Sequence, residues 1–207
     1  MTKLNVNPTR MELTRLKQRL KTANKGHKML KDKSDEMIRQ FMGLVKENKA
    51  LREEVEKELK SALSAFIMAR AVSDEATIEE ALQAPITDYE LTVTEKNLMS
   101  VSVPVIELKE GKATDFFPYG FINVTAELDL AVNKMQSLKT KLIRLAEIEK
   151  TCNLLADEIE KNRRRVNALE YVMIPNTEET IKYITMKLDE NERGNTVRLM
   201  KVKSKIK

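Results

Sequence analysis

The chain has 207 residues, a third of them charged, with 4% aromatic residues, no Trp and five Gly. That balance argues against a compact globule and suits long amphipathic helices, where Leu, Met, Ala, Lys and Glu keep high helix propensity. Nowhere do about 18 apolar residues follow one another, so no segment is expected to cross a bilayer as a helix.

The net charge of +5 conceals a segregation. Residues 1–34 carry +8 and residues 193–207 carry +6, whereas residues 73–120 carry −7. Both ends are basic and the middle is acidic.

In chain order, Pro8 and Thr9 mark a helix start. Steps of three and four residues then trace a seam through Leu13, Leu16, Leu20, Ala23, His27, Leu30, Ser34, Met37, Phe41, Leu44, Asn48, Leu51, Val55, Glu58, Ala62, Ala65 and Ala69. A period of 3.5 sustained this far specifies a left-handed supercoil, because a straight helix lets the stripe drift by about 20° per heptad. A helix of about 60 residues spans roughly 90 Å at about 1.5 Å per residue, and it cannot bury its stripe alone.

Residues 73–120 break the heptads. "DEATIEEALQA" reads as a short helix before Pro85, and "YELTVT" and "LMSVSVPVIELK" show the alternation of strands. Gly111, Pro118 and Gly120 punctuate the return to helix.

A second seam starts at Val124 and continues through Leu128, Ala131, Met135, Leu138, Leu142, Leu145, Glu149, Cys152, Ala156, Ile159, Arg163, Val166, Glu170 and Met173. Pro175 interrupts it, and Asn176 with Glu179 resembles a capping arrangement that restarts the helix. The expected fold is mainly α: a long antiparallel two-helix left-handed coiled coil with a small head containing a β-hairpin. Its segments are 1–72, the N-terminal helix; 73–120, the head; and 121–207, the C-terminal helix and basic tail.

Catalytic chemistry has little to work with. Gly26, Gly43, Gly111, Gly120 and Gly194 are scattered, and none precedes the Lys-Ser/Thr pair of a phosphate-binding loop. His27 and Cys152 lie in the seams and read as packed side chains; one His and one Cys do not make the usual zinc ligand set. No cofactor, metal or catalytic residue is expected. Polar seam residues such as Asn48, Glu58, Glu149 and Arg163 can instead fix the register.

Gly26 and Gly43 would permit bending or close helix approach. The run Arg163, Arg164, Arg165, set beside Lys21, Lys25, Lys28 and Lys31, concentrates positive charge without an internal neutraliser. A partner surface carrying acids follows from that. A sequence pI near 9.1 leaves a nucleic-acid-binding coiled coil as the alternative, although stacking aromatics are sparse and the centre is acidic.

Two stretches, "NPTRMELTRLKQRLKTANKGHKMLKDKSDEM" at 7–37 and "RRRVNALEYVMIPNTEETIKYI" at 163–184, strongly resemble the terminal regions of the D subunit of V/A-type ATPases. The resemblance extends over essentially the whole chain. It implies a non-catalytic rotor shaft whose paired termini enter a ring of alternating A and B subunits. It further implies a small stalk protein, the F subunit, bound along the coiled coil, and a membrane-ring adaptor at the head end. The shaft would link ATP hydrolysis or synthesis to ion translocation, with no membrane insertion of its own and no nucleic acid. With a lone cysteine and an N-terminus lacking a signal-peptide core, a cytoplasmic location, peripheral to the membrane through the complex, is expected. On this reading Arg10, Arg15, Lys25, Lys28, Arg163, Arg164 and Arg165 contact the catalytic ring.

Overall fold

The structure is a computed structural model describing residues 4–83, 89–110, 119 and 125–206. Pro85, Gly111, Pro118, Gly120, Val124 and the expected boundary at 120/121 lie outside the described residues. The elements are α1 (Arg10–Val72), α2 (Glu75–Leu82), β1 (Tyr89–Leu98), β2 (Val101–Glu110), α3 (Ala126–Ala168), a π turn (Leu169–Met173) and α4 (Ile174–Ile206). A long helix pair with a two-stranded antiparallel hairpin is the expected fold class. By backbone contacts the chain forms two compact units, Met1–Ile38 with Ile159–Lys207, and Arg39–Glu158.

Helix α1 starts where Pro8 and Thr9 place it. The Thr9 hydroxyl accepts the Glu12 N–H at 3.2 Å and its carbonyl accepts the Leu13 N–H at 3.0 Å, so Thr9 is the N-cap. All seventeen positions of the first seam are buried or half-buried. Leu16, Met37, Val55, Ala62 and Ala69 are the most enclosed.

The second seam is half right. Leu138, Leu145, Cys152, Ile159 and Val166 face inward, but Met135, Leu142, Ala156, Arg163, Glu170 and Met173 are exposed. Their places are taken by Ile148, Leu155 and Asn162, which are 3%, 0% and 1% exposed. A 3.5-residue period alternates steps of three and four, and apolar residues alone fit either order. The chain takes three first where the apolar reading takes four. Leu142 and Ala156 made the wrong order look continuous.

Each unit contains antiparallel helical segments. In the second, the Arg52 guanidinium lies 3.7 Å from Glu149, Arg144 lies 3.5 Å from Glu47, and the Lys134 amine donates to the Ser61 hydroxyl at 2.9 Å. Lys141 is held between Glu54 and Glu58, at 2.6 Å from each, and these hydrogen bonds raise its pKa. Glu58, a polar seam residue, therefore has a cationic partner from the facing helix.

At the far end of this unit Ala69, Ile78, Ala81 and Leu128 form a cluster with Phe66, Tyr119 and Val132 packed on it. Burying Ile78 and Leu128 stabilises the α1–α2–α3 junction by about 1.5–3 kcal/mol each. The Tyr119 hydroxyl donates to Asp129 at 2.7 Å; burial first, then that carboxylate, push its pKa well above the ordinary phenol range.

Strands β1 and β2 pair from Tyr89↔Glu110 to Leu98↔Val101. Their two-residue turn, Met99 and Ser100, has φ of 52° and 72° without a glycine, a left-handed pair of the kind hairpin twist requires. The Asn97 side chain supports it by accepting the Ser100 N–H at 2.9 Å. Lacking an Asn-Gly signal, the sequence hid where the turn falls.

A Cβ added at Gly26 or Gly43 meets nothing within 4 Å, so close approach of a second helix is not their role. With helical backbone and open space at both sites, Gly26→Ala and Gly43→Ala are each expected to raise stability by about 1 kcal/mol. Urea midpoints of the two variants check this; a loss at either site contradicts it.

Candidate interaction surface

The basic ends fall in the unit formed by Met1–Ile38 and Ile159–Lys207. Three contacts set its register: Arg10 pairs with Glu192, His27 Nε2 lies 3.3 Å from Glu170 Oε2, and the Asn162 amide donates to Met37 Sδ at 3.3 Å. The partner number falls as the α1 number rises, so the segments run antiparallel. The Leu4 N–H donates to Thr180 Oγ1 at 3.2 Å, laying the residues before α1 against α4.

This register corrects the expected grouping of charges. Arg163, Arg164 and Arg165 stand level with Ser34, Asp35 and Glu36, not with Lys25 and Lys28. Nor is the positive charge without internal neutralisers: Arg10 pairs with Glu192, Arg164 with Glu160, and Arg15 lies 3.8 Å from Glu12. Among the described residues no carboxylate lies within ion-pair distance of Lys25, Lys28 or Arg163, all of which are exposed. Between Leu13 and Lys31 the sequence has seven basic residues and no acid.

The His27 imidazole is half-buried in the seam and already engaged by Glu170. Cys152 is buried, and burial, then Glu149 and Glu47, push its thiol pKa up, away from the reactive thiolate. Among the described residues no group of three or more metal-ligating side chains occurs, and no helix is long and apolar enough to cross a membrane.

The sequence model of the ATP synthase D-subunit family matches residues 12–204. The chain belongs to that family. It is 54% identical over 206 residues to the D subunit of the V-type ATP synthase of Thermoanaerobacter sp. (strain X514), covering 100% of this chain and 99% of the relative. To the D subunit of the V-type ATP synthase of Clostridium botulinum (strain ATCC 19397 / Type A) it is 57% identical over 205 residues, covering 98% and 95%. Both terminal helical regions, which carry the basic surface, fall inside the D-subunit match.

Two features of this D-subunit surface escaped the sequence reading. One is Asn162, buried to 1% exposure with its Oδ1 unpartnered. The other is the π turn, where the Ile174 N–H donates to the Leu169 carbonyl five residues back. Pro175 explains it, since proline lacks an N–H for residue 171 and crowds that carbonyl in a regular helix. A wider turn just before it accommodates the ring without ending the helix. The expected Asn176–Glu179 cap is not formed: Asn176 is helical and its carbonyl accepts the Thr180 hydroxyl at 2.7 Å.

Proposed function

We propose that this chain is the central rotor shaft of a V/A-type rotary ATPase. It carries torque between ATP hydrolysis or synthesis in a ring of A and B subunits and ion translocation in a membrane ring. The observation that carries the reading is membership of the D-subunit family in a chain whose α1 runs unbroken from Arg10 to Val72. A continuous helix holding a facing helix by heptad contacts resists bending and slippage, as a shaft requires.

In this reading the segments 1–72 and 121–207 form the shaft and 73–120 the head. The basic termini enter the catalytic ring, with Arg10, Arg15, Lys25, Lys28, Arg163, Arg164 and Arg165 near its wall. The small F subunit of the stalk binds along the helix pair, and a membrane-ring adaptor holds the head. The shaft itself is cytoplasmic, held at the membrane by the complex, and does no chemistry. Membership of the D-subunit family favours this over a nucleic-acid-binding coiled coil, because the same basic stretches are part of the family match.

Ring entry is tested by charge. Exposed ion pairs are worth about 0–1 kcal/mol each, so single changes are expected to be nearly silent. Replacing Lys25, Lys28 and Arg163 together by Gln is expected to weaken binding to a reconstituted A/B ring roughly tenfold and flatten its salt dependence. Arg10→Gln, whose charge is already met by Glu192, is expected to change little. Since screening shortens to about 3 Å at 1 M salt, wild type and triple variant should converge there. An unchanged affinity across variants and salt contradicts electrostatic seating of the shaft.

A further inference from the structure

The residues ahead of α1 do not continue its line. Arg10, the first residue of α1, pairs with Glu192, which sets the start of α1 level with the late part of α4. Leu4 nevertheless donates its N–H to Thr180 Oγ1 at 3.2 Å, twelve residues earlier in α4 than Glu192. Twelve helical residues are about 18 Å long, and the six steps from Arg10 back to Leu4 reach at most about 20 Å. The arm therefore doubles back almost fully extended, beside the first turns of α1.

The reversal has a local cause. The Thr9 N–H donates to the Asn7 carbonyl at 2.9 Å across Pro8, closing a three-residue turn whose central φ the proline ring holds near about −65°. In an extended arm alternate residues share a side. Val6 is half-buried, whereas Asn5 and Asn7 are exposed.

Helix α4 is shaped to take the arm. Its inward positions Thr177 and Thr180 are 3% and 1% exposed, where most of the seam holds larger apolar residues. Each hydroxyl donates to the carbonyl four residues back, of Met173 and Asn176, at 2.7 Å, which leaves only its acceptor side to be filled. At Thr180 the Leu4 N–H fills it, and a buried polar atom stripped of its partner costs stability. Among residues 185–206 none is buried, so the arm fastens the last closely packed turns of α4.

We propose that residues 4–9 are a strap that latches the tip of the helix pair, with Thr180 as its catch. Latched, the tip consists of three packed segments and α4 is held through Ile184. Released, α4 loses the cover over residues 177–184 and frays from its end. The latch belongs to the free chain and needs no partner.

Pulsed distance measurement between labels at Asn5 and Met200, both exposed, in a Cys152→Ser background reads the strap directly. With Leu4 level with Thr180, the expected result is a narrow distribution near about 30 Å, the length of twenty helical residues. A maximum below about 20 Å, as an arm continuing the line of α1 would give, or a broad spread, overturns the strap. Thr180→Ser keeps the acceptor and is expected to keep the narrow distribution; Thr180→Val has the same shape without the acceptor and is expected to broaden it. A distribution as narrow in Thr180→Val as in wild type overturns Thr180 as the catch.

Amide exchange of the full chain tests the clamp. Leu4→Ser with Val6→Ser, which changes no helical residue, is expected to speed exchange across residues 177–188 at least about tenfold, while α3 around Leu155 keeps its rate. Equal protection of residues 177–188 in variant and wild type overturns the latch.

Discussion

Replacing Leu155 by Ala is expected to lower the unfolding free energy of the isolated chain by about 2–5 kcal/mol, through lost transfer energy and the cavity left behind. Leu155 is fully enclosed, and a long helix pair has little core elsewhere to close the gap. Ala156→Gln, one residue on, is expected to stay within about 0.5 kcal/mol, because position 156 is exposed. The pair of urea midpoints reads the phase of the second helix. A severe Ala156→Gln beside a mild Leu155→Ala would place α3 in the order that apolar spacing alone suggests.

Asn162→Asp is the other large effect. The Asn162 side chain lies at 1% exposure against Met37, itself fully enclosed, and its Oδ1 has no partner. A carboxylate there is a buried charge without a counterion, expected to cost about 3–5 kcal/mol at neutral pH. Burial raises the folded-state pKa of such an Asp above its unfolded value of about 3.9. The sign follows: the variant is closest to wild type below pH of about 4 and loses stability as pH rises. Asn162→Leu is expected to be neutral or stabilising, since it removes an unsatisfied polar group, while relaxing the register that a polar seam residue enforces. Chemical denaturation across pH checks both; a pH-independent Asn162→Asp would mean that the site is wet.

These residues also mark the limit of what could be read from sequence. The first seam was legible because Leu, Met, Val and Ala recur along all of α1, whereas the exposed Ile38, Met42 and Val45 make only a short run beside it, and Thr9 announces its start. The hairpin strands were legible from their β-branched alternation, but the Met99–Ser100 turn was not, since neither residue signals positive φ.

In the second helix Leu142 and Ala156 offered a false phase. Asn162 leaves no trace in the apolar pattern, because a polar residue contributes nothing to it. The π turn has no residue signature other than Pro175 after the run Tyr171, Val172, Met173; a proline in a continuing helix, preceded by three apolar residues, is the signal that could have found it.

The basic stretches were visible as charge, but their neutralisers, Glu192 for Arg10 and Glu160 for Arg164, are a matter of register and side-chain reach. The tendency of Arg163–Arg165 to sit opposite Asp35 and Glu36 depends on the antiparallel pairing itself.

A rotor shaft must turn within the A/B ring. Fix the A/B ring of the reconstituted complex to a surface and attach a bead through a cysteine at Asn97, near the hairpin turn, in a Cys152→Ser background. Addition of ATP is expected to drive continuous rotation of the bead in one direction, stopping when ATP is removed. ATP hydrolysis that continues at its full rate while a firmly attached bead shows only random motion would contradict a role as rotor shaft.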